Sequence, residues 1–383
     1  MRIHLLGLLI FFYLFCRVVL PLPVGKGLKT TAGGLLLLLT QQHFLYRHVF
    51  GGMASPELPF PLLLLSTGAF IFLVFLTLLT LGGDIASALG FLSARRRCGG
   101  AGGAGGGGGF SPGRRRAIMA CLAAAPSLYG VRNALAVPEV HCLEARLQGM
   151  PKALDGLLVV QISDLHVSAL LHGARVRSVV ERINALKPDI VVLTGDIVDG
   201  FPDRRAEGVA PLRNLRAACG VFACAGNHEY YADFNAWMRV FRELGVTMLL
   251  NSHKALELEG ETLVLAGLTD MVAERYGLPL PNARAALTGA PKGAFIVMLD
   301  HRPVNAEANA VAGARLQLSG HTHGGQILGM SELVAAYNNG YLSGWYQVSG
   351  MRMYVSPGAG LWNGFPVRLG VPSEIAALTL RAA

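Results

Sequence analysis

Between Glu57 and Asp84 the chain carries no charged residue, and Phe60 to Leu81 reads FPLLLLSTGAFIFLVFLTLLTL, a run of 22 residues. At about 1.5 Å of rise per residue, a helix of that length crosses a hydrocarbon core of about 30 Å. The competing reading is a buried helix of a soluble protein. It is disfavoured because few soluble helices are apolar on every face. This run predicts a membrane span.

The neighbouring apolar segments are less decisive. His4 to Val24 is strongly apolar but contains Arg17 and two prolines, and reads as a first span or a signal peptide. Ala32 to Phe50 carries five consecutive leucines and then Gln41, Gln42, His43, Arg47 and His48, a pattern suiting a marginal span or an interfacial helix. Ala117 to Val131 is uncharged for 15 residues between Arg116 and Arg132. Arg115, Arg116 and the apolar pair Ile118 and Met119 resemble a twin-arginine export pattern, and Ala134 to Ala136 a small-residue cleavage site. A last membrane helix with ordinary basic flanks is the preferred reading. Residues 1–136 are thus expected to form a membrane region of two to four apolar helices. Within it, residues 95–116 hold Arg95 to Arg97, a Gly/Ala run from Gly99 to Gly109, and Arg114 to Arg116. Six arginines beside membrane helices argue for the cytoplasmic face. The expectation is a multi-pass membrane protein whose C-terminal domain is extracytoplasmic.

Charge supports this division. The chain of 383 residues has a formal net charge of +9, and residues 1–155 account for all of it, with 14 Lys or Arg against 5 Asp or Glu; residues 156–383 carry 19 of each. A nucleic-acid partner is therefore not expected, because the soluble part has no basic excess. With 52% hydrophobic and 15% charged residues the chain is not disordered. Its six cysteines show neither a disulfide framework nor a zinc spacing.

After a polar linker containing Pro138 and Pro151, Leu157 to Ile162 is a short β-branched apolar run, as a buried strand should be. Arg175 to Leu186 has helical periodicity and Asp189 to Thr194 is a second such run, which makes a βαβ unit. Further strands are expected at Val221 to Ala225, Leu263 to Gly267, Phe295 to Leu299, Leu316 to Ser319, Met353 to Ser356 and Ile375 to Leu380. A mixed sheet covered by helices follows.

Five of these strands end in residues that can donate to a metal. They lead into Asp164-Leu165-His166, Gly195-Asp196 with Asp199, Gly226-Asn227-His228-Glu229, Asp300-His301, and Gly320-His321-Thr322-His323. In open α/β sheets ligands bind at the carboxyl ends of strands, so the five ends can converge. Asp, Asn and His without Cys suit a borderline or hard divalent ion such as manganese, zinc or iron. Asp164 and His166, two apart at an extended strand end, would point to one side and grip one ion. His321 and His323 share that spacing, but a sharp turn at the surrounding glycines could direct them to different ions. Singly, each motif is weak; five in order, each after an expected strand, are not.

The ordered blocks D-x-H, G-D-x-x-D, G-N-H-E, an isolated His and G-H-x-H, unbroken from Asp164 to His323, resemble the calcineurin-like metallophosphoesterase family. The runs GNHEYY at 226–231, GHTHGGQI at 320–327 and YVSPG at 354–358 are similar to its membrane-attached members. The resemblance spans roughly residues 152–380 and implies an αββα sandwich over 152–383. Position by position it implies that Asp164, His166, Asp196 and His323 hold a first metal, and that Asp196, Asn227, His301 and His321 hold a second. It also implies that His228 bonds the scissile phosphate and that Asp199 orients it.

The remaining histidines at 4, 43, 48, 141, 172 and 253 match no block. Arg302 reads equally as a phosphate contact or a solvated loop residue. Tyr230, Tyr231, Trp345 and Tyr346 read as core aromatics before pocket ones. The expected function is a membrane-anchored phosphoesterase with two divalent ions, acting on a phosphorylated substrate such as a membrane lipid or lipid precursor. The alternative is a non-catalytic membrane protein that uses the metal-bound fold as a sensor or interaction domain. A transporter with an attached regulatory enzyme is disfavoured by the scarcity of intramembrane carboxylates.

Overall fold

The computed structural model describes residues 3–50, 56–97, 112–362 and 364–383. The chain divides into one unit of Met1–Arg132 with Gly364–Pro366, and a second of Asn133–Asn363 with Val367–Ala383. The Gly/Ala run lies outside the described residues, and the arginines on which the expected topology rests, read from the sequence as one loop over 95–116, fall instead at the end of the helix Phe60–Arg97 and the start of the helix Pro112–Leu135.

The first unit is helical. α1 (Ile3–Leu14) continues through a wider turn, Phe15–Val19, and is followed by α2 (Lys26–Thr40), α3 (Gln42–Phe50), α4 (Phe60–Arg97) and α5 (Pro112–Leu135). Among the described residues one helix is long and apolar enough to cross a membrane, Phe60–Gly90 within α4. The segment expected over Ala32 to Phe50 is not one helix: it breaks at Gln41, where the leucine run gives way to polar side chains. Ile10, Leu14, Leu36, Leu73, Leu76 and Ala123 form the apolar core of this unit. Arg17, the charge that interrupts the first apolar segment, pairs with Asp84, the charge that ends the α4 run. The Tyr13 hydroxyl also donates to Asp84 at 2.8 Å.

The second unit holds twelve strands among the described residues: β1 (Glu139–Leu147), β2 (Leu158–Ile162), β3 (Ile190–Thr194), β4 (Val221–Cys224), β5 (Thr247–Met248), β6 (Ser252–Leu258), β7 (Glu261–Gly267), β8 (Phe295–Leu299), β9 (Leu316–Ser319), β10 (Gly344–Val348), β11 (Met351–Val355) and β12 (Glu374–Ala382). They make two sheets, ordered β1-β12-β2-β3-β4-β5 and β10-β11-β9-β8-β7-β6. Alternation along each strand explains their stacking. Ile190 and Val192 of β3 join Leu263, Leu265, Phe295, Val297, Leu316 and Leu318 in a core between the sheets. Val191 and Leu193 turn the other way, against Val176, Val179 and Ile183 of α6 (Gly173–Ala185), Val209 of α7 (Pro202–Val209), and Trp237 and Phe241 of a further helix. Outside the other sheet, Val264, Ala266, Met298 and Met353 pack on Ala283, Ala286 and Ala306. The architecture is therefore the expected αββα sandwich.

Each of the eight expected strands is present. The linker expected around Pro138 to Pro151 is a correction, since it carries β1, an edge strand paired in parallel with β12. β2, β3 and β4 run parallel in one sheet and β7, β8 and β9 parallel in the other. Their carboxyl ends carry the residues considered next.

Candidate metal centre

The turns leaving β2 and β3 are zipped to one another by backbone hydrogen bonds. Asp164 N donates to Gly195 O at 3.0 Å, His166 N to Asp196 O at 3.0 Å, and Asp199 N to Val167 O at 2.9 Å. This brings the first two blocks together. The expectation of an extended strand end is corrected here, because Asp164 (φ 53°), His166 (φ 45°) and Asp196 (φ 52°) are left-handed, as are His321 (φ 71°) and His323 (φ 50°). Side chains other than Gly rarely adopt this region, and the strain is characteristic of residues held for function. Each bend turns a side chain inward at the strand end. The glycines make room: a Cβ on Gly320 would strike Ser163 and the Asp164 carboxylate, and one on Gly226 would strike Asp196.

Two groups of donors result. In one, His323 Nε2 lies 3.2 Å from Asp164 Oδ1 and 3.2 Å from His166 Nε2. In the other, His301 Nε2 lies 3.3 Å from Asp196 Oδ2 and 3.2 Å from His321 Nδ1. Asp196 Oδ2 is also 3.7 Å from His166 Nε2, so this carboxylate stands between the two groups. His321 and His323 fall into different groups, as the turn between them predicts. His228 closes a third set with His166 and Asp196. Asn227 begins the single helical turn α8 (His228–Tyr231), where its amide donates to the Tyr231 hydroxyl at 3.3 Å and its Oδ1 accepts from Arg302 at 3.0 Å.

Residues outside the ligand blocks orient these side chains. His301 Nδ1 donates to Thr194 O at 2.8 Å and His166 Nδ1 to Asp199 Oδ1 at 3.1 Å, so both rings turn Nε2 inward, where a cation can displace any proton it carries. Imidazole metal ligands are commonly fixed this way. His and Asp donors converging in a buried space fit a divalent cation, and the fixed orientations of His301 and His166 suit it.

Burial alone would raise Asp164, Asp196 and Asp199, but the surrounding imidazoles hold all three carboxyls below their usual range. Burial opposes charge on His228, yet Asp196 and Asp199 push it up to about 9. His301 is pushed up to about 10, against burial, chiefly by Asp196. Burial brings His323 down to about 4.

Three further residues hold the centre together. Glu229 is fully buried, and its carboxylate accepts from the backbone N–H groups of Asp196 (3.0 Å), Ile197 (2.7 Å) and Gly226 (2.7 Å), joining two ligand turns. The buried Arg368 donates to Gly360 O and Pro357 O, each at 2.8 Å, and fixes the loop behind Asp164. Arg302 is not a solvated loop residue, since it pairs with Asp270 at 2.6 Å. Tyr230 is a core aromatic, buried and stacked on Phe234. Tyr231 is 48% exposed, with its ring 5.0 Å from that of His228. His172, His253 and His141 join none of the donor groups.

Two sheets packed face to face, with Asp and His donors gathered at their shared carboxyl edge, define a metallophosphoesterase-type domain. Residues 157–325 match the profile of the calcineurin-like phosphoesterase family. The chain is 32% identical over 280 residues to the transmembrane protein with metallophosphoesterase domain of Danio rerio, covering 70% of this chain and 63% of that one. Against the Bos taurus protein of the same name it is 33% identical over 285 residues, with the same coverage. An uncharacterized metallophosphoesterase of Bacillus subtilis strain 168 is 32% identical over 253 residues, 63% of this chain and 84% of that protein. The chain belongs to the calcineurin-like phosphoesterase family, and spans 63% of the length of the two vertebrate relatives.

Proposed function

We propose that this protein is a membrane-anchored, dinuclear-metal phosphoesterase. The observation that carries the reading is Asp196, whose carboxylate lies between two buried groups of imidazole and carboxylate donors. Asp164, His166, Asp196 and His323 would hold one divalent ion, and Asp196, Asn227, His301 and His321 the other; manganese, zinc and iron all suit these donors. When bound, the ions supply Lewis-acid charge to the phosphate oxygens and acidify a coordinated water.

The chain's own residues provide the rest. His228 Nδ1 donates to Asp199 Oδ1 at 2.5 Å, which leaves Nε2 turned toward the Asp196 side at 3.9 Å. Asp196 and Asp199 favour the protonated ring, and a protonated His228 carries its second proton on Nε2, facing the site. That proton can bond a phosphate oxygen and pass to the departing alkoxide as the ester bond breaks. Asp199 is the positioning residue that fixes the tautomer, and the left-handed turns hold the ligand side chains before substrate arrives.

The apolar helix Phe60–Gly90 and the naming of the vertebrate relatives support membrane anchoring. The six arginines at 95–97 and 114–116 favour the cytoplasmic face for the segment between α4 and α5, and the multi-pass, extracytoplasmic reading requires that α5 cross the bilayer as well. Anchoring favours a substrate presented at the bilayer surface, such as a phospholipid or a lipid precursor. The test is hydrolysis of an aryl phosphate ester by the full chain purified in detergent. Manganese-dependent turnover that chelator abolishes supports the reading. Manganese-loaded protein inert toward monoester, diester and pyrophosphate substrates would instead favour a sensor.

A further inference from the structure

The buried donors of the centre are open to solvent on one side only in part. The side chains of Asp164, His166, Asp196, Asp199, His301 and His323 are at most 3% exposed, whereas His228 is 18% and Arg302 25% exposed. With Tyr231, whose ring lies 5.0 Å from that of His228, they are partly exposed groups beside the donors that an entering phosphate can reach. Arg302 is held there by three bonds: Nε to Asp270 Oδ2 at 2.6 Å, Nη2 to Asn227 Oδ1 at 3.0 Å, and Nη1 to His321 Nε2 at 3.1 Å. Asp270 is itself buried and fixed, its other oxygen accepting from Val272 N at 2.8 Å.

We infer that Arg302, pinned by Asp270, binds the terminal phosphate oxygens of the substrate and biases the centre toward phosphomonoesters over diesters. The inference rests on the phosphoesterase reading and adds a substrate class to it. Three physical points support it. A guanidinium offers a planar fork of donors that matches phosphate, and one already immobilised loses little entropy on binding. The bond from Nη1 also conflicts with a loaded centre. His321 Nδ1 is the nitrogen that faces His301 Nε2, and once its lone pair is given to a cation the ring proton must sit on Nε2. Nε2 then cannot accept from Arg302, which leaves an Nη1 donor at the mouth without an acceptor. An oxygen of the entering phosphate supplies one. Finally, a monoester carries a second negative charge near neutral pH, with a pKa of about 6, whereas a diester carries one charge and a second organic group. A fixed cation at the entrance rewards the former.

The test uses the full chain in detergent loaded with manganese. Binding of inorganic phosphate is measured by calorimetry, metal content by elemental analysis, and kcat and KM for an aryl phosphate monoester and the matching diester. Losing a charge-assisted hydrogen bond should weaken phosphate binding by about 10- to 100-fold in Arg302→Met. The monoester-to-diester ratio of kcat/KM should fall by a similar factor, mainly through the monoester KM, with metal content unchanged. Arg302→Lys, which keeps the charge but loses the fork, should lie between. Asp270→Asn, which leaves Arg302 in place but loosens it, should move the ratio the same way by less, and serves if the Met variant does not fold. An unchanged ratio with unchanged phosphate binding overturns the inference, as does loss of manganese together with both activities. Wild-type protein that binds no phosphate and cleaves neither ester removes the phosphoesterase reading itself.

Discussion

Asp199 and His228 are joined by a hydrogen bond of 2.5 Å between Oδ1 and Nδ1, and the same Oδ1 lies 3.1 Å from Nδ1 of His166. One carboxylate oxygen therefore sets the tautomer of a proposed proton donor and of a proposed metal ligand. The two roles can be separated. His228→Ala should lower kcat by about 10²- to 10⁴-fold and leave metal content unchanged, since general acid catalysis is worth that much. Asp199→Asn should lower kcat and also weaken metal affinity by about 10- to 100-fold, as loss of a group that orients a ligand does. Elemental analysis beside steady-state kinetics reads both. Full metal affinity in Asp199→Asn would remove its link to His166.

Glu229 makes a structural prediction. Its carboxylate satisfies three buried backbone N–H groups, those of Asp196, Ile197 and Gly226. Glu229→Ala would orphan all three, at about 1–3 kcal/mol each. A domain of this size loses about 2–4 °C of Tm per kcal/mol. Thermal unfolding of the metal-free variant should therefore begin at least about 6 °C lower. A shift of a degree or two would mean the loops hold without the clamp.

The eight strands read from the sequence are β2, β3, β4, β7, β8, β9, β11 and β12, all interior to their sheets. Covered on both faces, they appear as mostly apolar runs. The four that escaped notice, β1, β5, β6 and β10, are the four sheet edges. β1 reads Glu-Val-His-Cys-Leu-Glu-Ala-Arg-Leu, and its exposed polar positions make it resemble a linker until β12 is beside it. The centre divides in the same way. Asp164, Asp196, Asn227, His301 and His321 are legible because each stands two or three residues beyond the end of a strand. The left-handed backbone that aims them is not, because it is imposed by contacts such as Asp164 N to Gly195 O between distant blocks. Arg302 and Asp270 lie 32 residues apart, and no local pattern signals their pairing.

A pH dependence follows from Asp300. Burial raises its carboxyl from 3.8 to about 6, although Asn309 and Asn305 donate to Oδ2 at 2.8 and 3.1 Å. Between pH 4 and 6 the unfolded chain has lost this proton while the folded chain keeps it, so this group's contribution to stability falls as pH rises. Asp300→Asn keeps an oxygen acceptor for both asparagines and cannot ionise. The Tm difference between variant and wild type, both metal-free, should therefore move in the variant's favour from pH 4 to pH 7. A difference that stays flat, or falls, would show that Asp300 is ionised without penalty.

The central claim is that one carboxylate serves two metal ions. It is tested most directly by measuring bound metal and phosphoesterase activity together in purified Asp196→Ala. Asp196 Oδ2 lies 3.3 Å from His301 Nε2 and 3.7 Å from His166 Nε2. The variant should lose tight binding of both ions, with manganese-dependent hydrolysis falling by the full catalytic factor. A variant that retained two ions per chain and wild-type turnover would contradict the account.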